Sequence, residues 1–111
     1  MFDYRITVVR VVDGDTVDID VDAGFYLTLR VRVRVLGVDT PERGQTGWAE
    51  ATAFTTRWLA ARGGRLRATT VKTDSFGRWL ADIYSGGDHL SLALLAAGHA
   101  VPYHTTTTKE P

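Results

Sequence analysis

Over the first third of the chain, apolar and polar residues alternate with a period of two, a pattern that predicts sheet. Residues 4–12 form an apolar, β-branched run that stops at Asp13-Gly14, a strong turn signal. From Thr16 the alternation is regular, with Val17, Ile19 and Val21 on one face and Asp18, Asp20 and Asp22 on the other. Ala23-Gly24 turns the chain. The next run reverses the charge, with Leu29, Val31, Val33 and Val35 inward and Arg30, Arg32 and Arg34 outward. An antiparallel register with Asp20 opposite Arg30 and Asp18 opposite Arg32 places both apolar sets on one face. Such cross-strand pairs contribute about 0.2–1 kcal/mol each, so they select register, and Asp18, Asp20, Asp22, Arg30 and Arg32 read as structural. Arg34 lies at the end of this ladder, facing Thr16 and close to Asp15.

Residues 34–43, R-V-L-G-V-D-T-P-E-R, run apolar to Val38 and then present Asp39, Thr40, Pro41 and Glu42. The X-Pro step disfavours helix at the residue before it, so Asp39 and Thr40 fall in extended or turning backbone at a strand exit. Carboxylates there, beside a fixed arginine, suit a site for a metal and a phosphate. Taken alone, the segment reads equally as a polar turn after a buried strand.

Beyond Gly44 and Gly47 the spacing changes to helical. Ala51, Phe54, Trp58 and Ala61 form a buried stripe, Glu50 lies in the first turn, Arg62 in the last, and Gly63-Gly64 closes the helix. Its tryptophans, Trp48 and Trp58, are expected in the core. Two strands follow, residues 65–72 and 79–84, joined by T-D-S-F-G-R, with Arg78 just past the turn. Asp88 is expected to cap a second helix that buries Leu90, Ala93, Leu94 and Ala97 and ends at Gly98. One short extended piece, residues 100–103, precedes a threonine-rich tail. Five strands with a helix after the third and another after the fifth give a mainly β, α+β chain, a five-stranded Greek-key barrel of the OB type. The domain spans residues 1–104, and residues 105–111 are expected to be disordered or a docking arm.

The 111 residues allow one domain and one modest core. The absence of cysteine excludes disulfides and thiolate metal sites, leaving oxygen or histidine as metal donors. His89, His99 and His104 have no ligand spacing, which argues against a histidine-metal enzyme. A formal net charge of zero argues against the uniformly basic surface of a tight, non-specific nucleic-acid binder. The positive charge is nearly all arginine, however, which suits bidentate phosphate contacts. The first residues carry charges within their apolar run and read as a strand, not a signal peptide. No apolar stretch is long enough to span a membrane, so a soluble chain is expected, with no compartment indicated.

Three clusters remain outside this structural reading: D-G-D-T at residues 13–16, R-V-L-G-V-D-T-P-E at residues 34–42, and D-S-F-G-R at residues 74–78. In this order and on this strand pattern they closely resemble the staphylococcal nuclease (thermonuclease) family, over residues 8–103. The resemblance implies an OB-type barrel that hydrolyses phosphodiester bonds in DNA and RNA with Ca2+ and leaves 3′-phosphates. Asp15 and Asp39 would be the calcium carboxylates, with the backbone carbonyl of Thr40 as a further ligand. Asp13 would hold a metal-bound water or orient Asp15. Glu42 would hold the attacking water, as general base or as its orienting partner, and Arg34 and Arg78 would clamp the phosphate.

The sequence departs from the family pattern at Ser75 and Phe76, where thermonucleases carry lysine and tyrosine that touch a terminal phosphate. Phe76 and Tyr103 are the remaining candidates for substrate contact. The loop after Glu42 is short and the family's C-terminal helix has no counterpart, so the chain is expected as a monomer or a weak homodimer. The competing reading is an inactive barrel of the same type that binds nucleic acid or protein. Such a module would have no need of Asp15, Asp39 and Glu42 beside one phosphate, because bare carboxylates repel it.

Overall fold

A computed structural model describes residues 2–73 and 78–103. The chain folds as β1 (Phe2–Asp13), β2 (Thr16–Asp22), β3 (Thr28–Val35), β4 (Val38–Asp39), α1 (Trp48–Ala60), β5 (Arg67–Thr73), β6 (Trp79–Ser85), β7 (Asp88–His89), α2 (Leu90–Ala96) and β8 (Val101–Pro102). The main sheet has the order β3-β2-β1-β5-β6-β7, and a parallel pairing of β3 with β6 closes five strands into a barrel. Mostly strand with two helices, this is the OB-type barrel expected from the sequence.

The charge ladder has the anticipated register. Asp20 pairs with Arg30, Asp18 with Arg32 and Thr16 with Arg34. Arg30 and Arg32 each make two hydrogen bonds to their partner carboxylates, the shorter at 2.8 and 2.7 Å. The hydrogen bond from Arg32 is the main reason the Asp18 carboxyl is held below its ordinary value, and Arg30 does the same for Asp20.

The opposite face supplies the core. Val17, Ile19, Val33, Val35, Ala81 and Ile83 are buried, and Leu59, Leu90 and Leu94 cover them from the helices. Leu29 is an exception: expected inward, it is 57% exposed, because the barrel ends there and none of the described residues covers it.

The helical stripe is also shifted. The buried residues of α1 are Ala51, Thr55, Trp58 and Leu59, while Phe54 is half-buried and Ala61 exposed. Trp48 is half-buried at the first position of α1 and outside the core. Arg62 lies beyond the last turn, where it donates to the Trp58 carbonyl at 3.1 Å and stacks on that indole. A short 3-10 turn, Gly63–Arg65, delays β5 to Arg67. Asp88 does not cap α2: it pairs with Ser85 in β7, its carboxylate faces Arg62, and His89 takes the N-cap position. No helix among the described residues is long and apolar enough to cross a membrane.

Candidate active site

The turn from β1 into β2 is held by close packing. A Cβ on Gly14 would lie 3.0 Å from both the Ala51 Cβ and the Thr40 Oγ1, and 3.1 Å from the Thr40 Cγ2. Only glycine lets this backbone lie so close to α1 and to the end of β4. Thr55, fully buried on α1, donates its hydroxyl to the Gly14 carbonyl at 2.7 Å. Helix and turn are thereby locked together, and Asp15 follows directly.

Asp15 is 4% exposed, and both of its carboxylate oxygens accept hydrogen bonds, Oδ1 only one. Its Oδ2 accepts from the Arg34 guanidinium at 2.8 Å and from the Thr40 backbone N–H at 3.0 Å, and its Oδ1 accepts from the Thr16 hydroxyl at 3.0 Å. Arg34, itself buried, spreads across the end of β3 and donates also to the Val38 carbonyl at 3.1 Å and to Asp39 Oδ1 at 3.3 Å. One guanidinium thus draws together two carboxylates 24 positions apart, Asp15 deep and Asp39 half-exposed. The backbone of Val35 donates to the Asp15 carbonyl at 2.8 Å, tying the same two segments from below.

Tyr103 arrives through the short ladder of β4 with β8. Its N–H donates to the Gly37 carbonyl at 2.9 Å, and its ring lies 4.8 Å from the Arg34 guanidinium carbon. An aromatic face at that distance attracts the cation and fixes its plane.

The remaining candidates stand around this cluster. Asp13 accepts from the Trp48 indole N–H at 2.7 Å, an arrangement that places its carboxylate on the helix side of the turn. Glu42 is exposed on the loop after Thr40, and its backbone is fixed by Gln45, whose side-chain Oε1 accepts from the Glu42 N–H at 2.7 Å. Arg78, half-buried, directly precedes Trp79, which pairs with Val33 beside Arg34. Phe76 lies outside the described residues, as does the expected tail, residues 105–111.

Sequence reasoning missed Trp48, Thr55 and Arg43, which stacks on Trp48 with 4.5 Å between guanidinium carbon and ring centroid. A small residue and a hydroxyl at Ala51 and Thr55, one turn apart on the helix face that meets D-G-D-T, were the available signal for the helix contact.

The cluster has the donor chemistry of a hard-cation site. All its free valences are oxygen, and one guanidinium faces two carboxylates, which leaves net negative charge for a cation to neutralise. Thr40 Oγ1 is buried beside them with no hydrogen-bond partner among the described residues. Among those residues no three acids, histidines or cysteines converge, so a cation here depends on backbone and hydroxyl oxygens in addition to Asp15 and Asp39.

Residues 32–111 match the family described as staphylococcal nuclease homologue, well over half of the chain. The chain belongs to the staphylococcal nuclease family. Among its relatives, a thermonuclease of Staphylococcus hyicus is 34% identical over 99 residues, covering 84% of this chain and 56% of the relative. A thermonuclease of Staphylococcus intermedius is 35% identical over 97 residues, 82% of this chain and 55% of the relative. An uncharacterized endonuclease of Escherichia coli O157:H7 is 30% identical over 107 residues, 96% and 65% respectively. The chain therefore spans about half the length of the two thermonucleases. Its barrel, closed by β3 and β6, is that of a staphylococcal nuclease homologue.

Proposed function

We propose that this chain is a Ca2+-dependent nuclease that hydrolyses phosphodiester bonds in DNA and RNA and leaves 3′-phosphates, the work being done by the barrel of residues 1–104. The observation that carries the reading is the convergence of Asp15 and Asp39 on Arg34, with the Thr40 N–H held on Asp15. A pure binding surface gains nothing from two carboxylates held beside the arginine that is to meet a phosphate.

Asp15, Asp39 and the Thr40 carbonyl would hold the cation, whose flexible oxygen shell suits two carboxylates and a carbonyl. When bound, Ca2+ supplies polarisation of the phosphoryl oxygens. Asp13, on the helix side of the turn, orients the Asp15 loop. Arg34 and Arg78 donate to the phosphate oxygens and meet the charge that builds there, each such donor being worth roughly 2.7–4 kcal/mol in the transition state. Tyr103 keeps the Arg34 plane fixed for that contact, and Phe76 and Tyr103 are the candidates for contact with the nucleotide itself.

Glu42, exposed and with its backbone N–H bonded to the Gln45 side chain, takes or orients a proton of the attacking water. The new bond forms between that water oxygen and phosphorus. The bond from phosphorus to the 5′ oxygen breaks, and that oxygen leaves as an alcohol with a proton from solvent. Incubation with single-stranded and duplex DNA and RNA, in Ca2+, in Mg2+ and in chelator, tests the reading. Cleavage in Ca2+ that chelator abolishes is expected. Degradation indifferent to chelator, or none in any condition from a folded sample, contradicts it.

A further inference from the structure

The end of the barrel at the β2–β3 hairpin is open and apolar. Inward residues of four strands, Phe2, Tyr4, Val21, Leu29, Val31 and Trp79, line a cavity of about 310 Å³. Phe2, Leu29 and Trp79 are 66%, 57% and 42% exposed, although their positions alternate with the outward charges. From the rim of this mouth, between Ala23 and Leu29, projects the hairpin tip, a tight loop in which the Ala23 N–H donates to the Leu27 carbonyl at 3.0 Å and the Leu27 N–H to the Gly24 carbonyl at 2.8 Å. Phe25 and Tyr26 at the tip are 96% and 106% exposed, and both hold left-handed backbone at φ 55 and 62. Two consecutive aromatic residues in that region is a costly arrangement that glycine would relieve, and both rings stand in solvent.

The chain thus carries an apolar knob and an apolar hole side by side on one end. Such a surface is self-complementary under a two-fold axis, the knob of each copy entering the hole of the other. We infer that this end is the interface of an isologous homodimer, with the Phe25-Tyr26 tip of one copy seated in the Leu29–Trp79 mouth of its partner.

The surface suffices for that purpose. A standard interface buries about 800 Å² per partner. Phe25 and Tyr26 offer roughly 150–250 Å² each, and Phe2, Leu27, Leu29, Val71 and Trp79 extend the same patch beyond what a monomer ordinarily leaves in water. The formal net charge of zero sets no repulsion against self-association. Asp15 and Arg34 lie at the opposite end of β2 and β3, since Thr16 pairs with Arg34 at one end and Asp22 with Thr28 at the other. The dimer therefore leaves Asp15 and Arg34 open.

Sedimentation velocity from about 1 µM to about 1 mM protein reads the association directly. The wild type is expected to pass from monomer to dimer over this range. Phe25→Gly/Tyr26→Gly removes the knob and relaxes both left-handed positions, so it is expected to stay monomeric while melting at an equal or higher temperature, with cleavage unchanged. Leu29→Asp, at an exposed hole position, is also expected to be monomeric, and its melting curve reports whether it folds. An equal mixture of the two variants keeps one intact knob-and-hole contact and is expected to dimerise more weakly than wild type. A wild type monomeric throughout, a glycine variant that dimerises as well as wild type, or a monomer whose mouth takes up an apolar dye in place of a second copy would each overturn the inference.

Discussion

Gly14→Ala is the sharpest local probe of how the barrel holds its site. The added methyl would sit 3.0 Å from the Ala51 Cβ and the Thr40 Oγ1, and 3.1 Å from the Thr40 Cγ2. None of these is the far end of a flexible chain: Ala51 and Thr40 are short, β-proximal and buried. The turn must therefore move away from α1, and the 2.7 Å bond from Thr55 to the Gly14 carbonyl stretches with it. Overpacking of this kind costs about 1–3 kcal/mol, and weakening a buried hydrogen bond adds up to about 1 kcal/mol. A loss of about 2–4 kcal/mol in urea unfolding is expected. Because Asp15 is the next residue, a shift of about 1 Å in the turn is expected to lower the cleavage rate by about 10²-fold even where the protein remains folded.

Ala51→Gly removes one of the crowding atoms at a helix cost of about 1 kcal/mol. In the double variant the two losses should fall short of their sum by about 1 kcal/mol, a coupling read from the four unfolding curves. Strict additivity, or a Gly14→Ala protein as stable and active as wild type, would refute the packing argument.

Three further outcomes follow from the same geometry. Arg34→Ala strips the counter-charge from buried Asp15 and from Asp39, with an expected loss of about 3–5 kcal/mol; added Ca2+ should raise its melting temperature more than that of wild type, and equal shifts would show that Arg34 and the cation do not share those carboxylates. Asp18, held low chiefly by the Arg32 hydrogen bond, contributes its stability in full above the ordinary carboxylate value of about 3.9 and loses it as pH falls through its lower folded value. Asp18→Asn should accordingly cost about 0.2–1 kcal/mol at neutral pH, leave cleavage intact, and flatten the acid limb of unfolding followed by circular dichroism. Trp48→Phe removes the indole donor to Asp13 and should cost about 0.5–1.5 kcal/mol with a modest fall in rate, and an unchanged protein would make that bond incidental.

Local patterns were the legible part of this fold. The alternation of Asp18 and Asp20 against Arg30 and Arg32 specified the β2–β3 register, because a slip by one residue would have turned every valine outward. D-G-D-T and R-V-L-G-V-D-T-P-E pointed to the residues that converge, Asp15, Arg34, Asp39 and Thr40. Their mutual bonding was not legible: Asp15 read as a metal ligand and Arg34 as a phosphate clamp, and nothing in the spacing says that the two groups bond each other. The edges of elements were read less well than their centres. Leu29 obeys the inward period but falls where the barrel ends, Trp48 obeys the helical period but falls where the helix begins, and Asp88 was drawn from a cap into a strand by Ser85. Each position is decided by what lies across from it, which periodicity along the chain does not encode.

In the proposed mechanism Glu42 serves the water while Asp15, Asp39 and Thr40 serve the cation. The most direct measurement is the initial rate of oligonucleotide cleavage by Glu42→Ser beside its Ca2+ affinity by calorimetry. Turnover suppressed by orders of magnitude, with calcium affinity near that of wild type, is expected. Loss of both together, or turnover retained, would contradict it.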